Sequence, residues 1–107
     1  MGKGRWIQVF KGVDWFERIM KVDEVEVKCF VHKVYGIEEP EIWEYYASLS
    51  NRVGQLVGEW RSLHHKTDSV LTAKRRCTRL GERLARIVSM EIRAGVEEAT
   101  QYPKDLV

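Results

Sequence analysis

Five arginines recur through the last third of the chain: Arg75, Arg79, Arg83, Arg86 and Arg93. At the ~100° per residue of an α-helix they share an arc of about 80°, with Cys77, Leu80, Leu84 and Ile87 on roughly the opposite side. Arginine presents planar, paired donors that match phosphate oxygens, so such a stripe is chemistry for tracking a nucleic-acid backbone without reading its bases. Lys74 and Arg76 flank the stripe, and Glu82 is the one acid on that side of the helix. Residues 64–95 hold eight Lys/Arg against three Asp/Glu, whereas residues 36–60 hold five Glu against one Arg. A second reading therefore stands beside the first. If the acidic stretch is a helix antiparallel to the basic one, Arg86 and Arg93 lie near Glu41 and Glu44, in surface pairs worth about 0–1 kcal/mol each.

Other reactive residues point to less. Cys29-Phe30-Val31-His32 has C-x-x-H spacing, and His64, His65 and Cys77 complete a nominal tetrahedral set. The second half of that set lacks ligand spacing, and adjacent histidines on a helix diverge by about 100°. The two cysteines, with no C-x-x-C, read as reduced thiols, and no metal or other cofactor is expected. Glu38, Glu39, Glu41 and Glu44 cluster where a helix starts, and there negative charge complements the dipole. Gly2-Lys3-Gly4 is not a phosphate-cradling turn, no serine sits in G-x-S-x-G, and no histidine follows a glutamate in E-x-x-H. No nucleophile–base constellation emerges, so a non-enzymatic protein is expected, with no small-molecule substrate evident.

The elements that must position the arginines follow from periodicity. Ile42, Tyr46, Leu49, Val53, Leu56, Trp60 and Leu63 step by fours and threes, a coiled-coil-like seam that predicts a helix over 40–63 with Pro40 in its first turn. The seam stumbles at His64-His65-Lys66-Thr67-Asp68-Ser69, where three good N-caps stand together. A second seam, Val70, Ala73, Cys77, Leu80, Leu84 and Ile87, with Ala94 beyond, predicts a helix over 69–94 capped by Gly95. The phase change argues for an antiparallel helical hairpin over 38–95, with one uninterrupted helix over 40–94 as the alternative. On the first helix Ala47, Asn51, Gly54, Gly58 and Ser62 form a small-residue stripe, including Gly54-Gln-Leu-Val-Gly58, near Trp43, Tyr45 and Tyr46. Such a stripe lets another backbone approach, either the N-terminal third or a second subunit, so Trp43, Ala47, Asn51, Gly54 and Gly58 are candidate interface residues.

Residues 1–37 read as a smaller cap region. For 25–35, Val25, Val27, Cys29 and Val31 alternate with Glu24, Glu26 and Lys28 as in a strand. The same segment carries a helical pattern, Val27, Phe30, Val31 and Val34, behind an Asp23-x-x-Glu26 capping box and ahead of Gly36. Caps at both ends favour the helix, with short strands as the alternative. Asp14-Trp-Phe-Glu17 repeats the capping arrangement one element earlier, and residues 4–12 fit a short strand or a helical turn. Residues 96–107 read as a polar tail.

Composition sets the bounds. The chain has 107 residues, 44% of them hydrophobic, which suits one small domain and is too apolar for a disordered one. No run approaches the ~18 apolar residues of a membrane span, and Met1-Gly-Lys-Gly-Arg5 leads into no signal-like apolar stretch, so a cytoplasmic protein is expected. The net charge of +2 names no partner, since it cancels an acidic stretch against a basic one. The expectation is a mainly α protein built on two antiparallel amphipathic helices. It binds nucleic acid through Lys74, Arg75, Arg76, Arg79, Arg83, Arg86 and Arg93 and assembles as a homo-oligomer. The alternative is a protein-binding adaptor, inhibitor or assembly component, such as a small viral or phage protein.

Overall fold

Alternation rather than a heptad governs most of the chain. In the computed structural model, which describes residues 4–22, 25–34, 41–53 and 56–93 (backbone only for 50–59 and 91–93), six strands precede one helix. They are β1 (Ile7–Gln8), β2 (Trp15–Val22), β3 (Val25–Lys33), β4 (Trp43–Val53), β5 (Leu56–Arg61) and β6 (His65–Thr67), followed by α1 (Val70–Arg93). Every pairing is antiparallel, in the order β1-β2-β3-β4-β5, and β6 joins β4 along the same edge as β5. Gly12, at φ 77°, serves the tight turn between β1 and β2, where the Val13 amide donates to the Phe10 carbonyl at 3.0 Å.

Successive side chains in a strand point to opposite faces, and one face of this sheet is packed on α1. Met20, Val22, Val25, Val27, Cys29, Val31, Trp43, Tyr45, Ala47, Leu49 and Trp60 are buried there against Ala73, Cys77, Leu80, Leu84, Ala85 and Val88. The helix lies close along one row of small residues, Ala73, Cys77, Gly81 and Ala85. A Cβ on Gly81 would fall 2.7 Å from the Cys29 sulfur and 2.9 Å from the Met20 methyl. Arg18 ties β2 to the helix by donating from Nη1 to Thr78 Oγ1 at 2.9 Å. Ser69 caps α1, its Oγ accepting from the Thr72 amide at 3.3 Å.

A bulge separates β5 from β6. Arg61 pairs with Ser48 and His65 with Tyr45, so three residues, Ser62 to His64, oppose two, Tyr46 and Ala47. Ser62 stitches the gap: its amide donates to the Ala47 carbonyl, its Oγ accepts from the Ala47 amide, both at 2.9 Å, and its hydroxyl donates to the Leu63 carbonyl. The extra residue reverses the alternation, so His65 faces α1 beside Tyr45 and His64 faces outward beside Tyr46.

The mainly α expectation is thus overturned. No helix spans 40–63; those residues supply the β4–β5 hairpin, so there is no helical hairpin over 38–95 and no continuous helix over 40–94. The physical reason is that the four-three seam is split by the sheet. Leu49 and Trp60 face α1, Tyr46 faces outward, and Leu63 is exposed. The competing set Trp43, Tyr45, Ala47 and Leu49, at every second residue, is buried in full. For 25–35 the favoured helix is likewise absent, and the alternating strand forms as β3. The helix expected over 69–94 is present as α1, with Ala73, Cys77, Leu80 and Leu84 of its seam inside. Pro40, Gly36, Glu38, Glu39, Gly54, Gly95 and the tail over 96–107 lie outside the described residues. Among the described residues no helix is long and apolar enough to cross a membrane.

Candidate nucleic-acid interface

With one side of α1 committed to the sheet, the opposite side carries Arg75, Arg79, Arg83 and Arg86 outward, all exposed, with Arg76 exposed beside them. From Arg75 to Arg86 the ridge runs about 17 Å at ~1.5 Å per residue. The helix as a whole holds seven Lys/Arg against two Glu. Arg86 Nη2 lies 3.6 Å from Glu82 Oε2 one turn back, a surface pair of a few tenths of a kcal/mol. The side chains of Arg75, Arg76, Arg79 and Arg83 make no hydrogen bond or ion pair among the described residues. The acidic helix that was to neutralise them does not exist. Glu44 is on the outer face of the sheet, and Glu41 lies 3.7 Å from Lys33 Nζ.

Two of the expected binding residues stand apart from the ridge. Lys74 turns to the side of the helix, where its Nζ sits 4.0 Å from the centre of the Phe16 ring, a cation–π contact. Arg93 is in the last turn of α1, and its side chain lies outside the described residues.

Where α1 passes the β6 end of β4, Arg76, Arg79 and Arg83 meet Tyr45, His65 and Leu80 around a cleft of about 310 Å³. The Tyr45 and His65 rings stack with centroids 5.4 Å apart. His65 Nε2 is buried and lacks a hydrogen-bond partner among the described residues. Because the bulge at 62–64 decides which histidine faces α1, the alternation of the sequence alone does not reveal this cleft.

The outer face of the sheet carries a second cluster that the sequence reading missed. Trp15 stacks on His32 at 4.7 Å, Phe30 on Tyr46 at 4.7 Å, and Tyr46 on His64 at 4.1 Å. Glu44 Oε1 accepts from both His32 Nε2, at 2.9 Å, and His64 Nδ1, at 3.1 Å. Burial raises the Glu44 carboxyl, but hydrogen bonds and charge from His64 and His32 outweigh it and leave the group below its ordinary value. Burial, then the charges of Glu44 and Glu17, push the Tyr46 hydroxyl up. Trp15 Nε1 donates to Glu17 at 3.0 Å, so both carboxylates near the rings are engaged. Reading 43–49 with period two would have placed Glu44 and Tyr46 together on this face.

The C-x-x-H arrangement is divided by the strand: Cys29 points to α1 and His32 to the outer face. Among the described residues no three His, Cys, Asp or Glu are placed to hold a metal ion. Cys29 and Cys77 are free, buried thiols against each other. The Cys29 thiol and burial push Cys77 far above the usual thiol range, which keeps it protonated and unreactive.

The small-residue stripe expected on a helix is dispersed. Trp43 and Ala47 are in the core, Asn51 and Gly58 are cross-strand partners, and Gly54 lies outside the described residues. No family model matches the chain, and neither a curated protein nor a solved structure matches it.

Proposed function

We propose that this protein binds nucleic acid through the phosphate backbone, without sequence preference, along the outward side of α1. The observation that carries the reading is a ridge of exposed arginines on a helix whose other side is occupied by the sheet, with Glu44 on the far face of that sheet and Glu41 paired with Lys33. Mounting on α1 favours this use, because a packed helix sets the arginines at regular intervals along one side. Arg75, Arg79, Arg83 and Arg86, with Arg76 beside them, are the contact residues.

Binding of labelled single- and double-stranded DNA and RNA, followed by fluorescence anisotropy at 50 and 200 mM salt, tests the reading. Neutralising three to four phosphates of a duplex predicts an affinity loss of about 40- to 150-fold over that range. An Arg79→Glu/Arg83→Glu variant is expected to lose most of the binding at 50 mM. Absence of binding by the wild type at 50 mM overturns the reading.

A second reading, self-association, rests on the sheet edge. β1 ends the strand order, and its hairpin exposes Ile7 at 63% and Phe10 at 62%, with Ile19 of β2 at 47% nearby. Apolar side chains beside an unpaired strand edge suit a second copy of the chain. Light scattering is expected to show a dimer that Phe10→Ser converts to monomer; a wild-type monomer at high concentration overturns it.

A further inference from the structure

We infer that the cleft between α1 and the β6 end of β4 is a discrete seat for one phosphate group, distinct from the open crest of the ridge. The inference rests on the backbone-binding reading and adds to it a defined site within the arginine surface. Arg76, Arg79 and Arg83 fall within about 60° of one another around the helix and span two turns, so they leave α1 on the same side. All three line the cleft, and among the described residues no acidic one does.

The other wall is what separates this place from the crest. Tyr45, His65 and Leu80 line the cleft beside the arginines with two stacked rings and an aliphatic side chain. An arginine–phosphate contact shielded by such a wall is screened less by water and salt than one on an open helix surface. His65 brings a polar atom, Nε2, that is buried without a partner among the described residues, a state usually relieved by water or a ligand. The bulge at 62–64 is the device that puts His65 here; without the extra residue His64 would take its place in the alternation.

Size gives the ligand class. At about 310 Å³ the cleft stands at the lower end of the ~300–1,000 Å³ typical of small-molecule sites, more than a phosphate alone needs. It fits a phosphate with part of its sugar, supplied by one nucleotide of a bound strand or by a free nucleoside monophosphate.

The test follows the Arg Nε–H and His65 ring signals by NMR. Wild-type protein is titrated with inorganic phosphate, adenosine monophosphate and an oligothymidylate of about 12 nucleotides, with chloride at matched ionic strength as control. Two variants are compared, Arg76→Gln/Arg83→Gln in the cleft and Arg75→Gln/Arg86→Gln on the crest. The seat predicts saturable phosphate binding, tighter for the monophosphate nucleoside, weakened about tenfold or more by the cleft variant and less than about twofold by the crest variant. No saturable response to phosphate or the nucleotide, or equal weakening by both variants, overturns the seat. If the oligonucleotide still binds with steep salt dependence in that case, backbone binding stands and only the seat fails. If phosphate and nucleotide saturate the cleft while the oligonucleotide does not bind, the seat is supported and the nucleic-acid reading is overturned.

Discussion

Glu44 concentrates the polar chemistry of the outer sheet face on one oxygen. Both histidines that reach it must carry their proton on the facing nitrogen, His32 on Nε2 and His64 on Nδ1. The net effect holds the carboxyl below its ordinary value, which fixes the sign of the linkage. A group with a lowered folded-state pKa contributes stability above its unfolded pKa and loses it as pH falls through the folded value. Glu44→Gln is therefore expected to lower the urea midpoint at pH 7, and the gap to wild type should close as pH falls below about 4. A gap that persists unchanged in acid would mean the carboxylate's charge is not what stabilises the cluster. This site was illegible in the sequence because Glu44 read there as a helix-start acid. Its partners at 32 and 64 meet it only through β3–β4 pairing and the bulge after β5.

At the scale of elements, α1 was legible and the sheet was only partly so. The α1 seam keeps its phase from Val70 to Leu84, and no strand period competes with it there. In β4 two periods coexist. Trp43, Tyr45, Ala47 and Leu49 fit a strand, while Ile42, Tyr46, Leu49 and Val53 fit a helix. Local sequence could not decide between them; burial against α1 does, since a fully apolar face with two large aromatics needs a partner layer. For β3 the capping residues misled: Asp23-x-x-Glu26 reads as a helix start, while β2 ends at Val22 and β3 begins at Val25. Gly81 shows what element packing demands of a single position. Alanine there gains about 1 kcal/mol of helix propensity but drives a Cβ into the Cys29 sulfur, which Cys77 boxes in. Gly81→Ala is expected to cost a net of about 1–3 kcal/mol by chemical denaturation. A neutral or stabilising result would show that α1 can lift from β3.

On the scale of the whole molecule, the sheet acts as a partition. One side holds α1 with its exposed arginines and the Arg76/Arg79/Arg83 cleft; the other holds stacked rings with Glu17 and Glu44 already engaged. The net charge of +2, from 18 Lys/Arg against 16 Asp/Glu, conceals this; Glu41 pairs with Lys33 and Glu44 with His32 and His64 rather than with the arginines. The charge asymmetry was legible from sequence, but its meaning was not, since it depended on whether acidic and basic stretches faced each other. The sheet sets Glu44 on the face away from α1. The most direct test of the account is the slope of log affinity against log salt for a DNA duplex, in wild type and the Arg79→Glu/Arg83→Glu variant. Three to four phosphate contacts predict a slope of about −2.7 to −3.6 for wild type and a large loss of affinity in the variant. A flat slope, or a variant that binds as the wild type does, would contradict it.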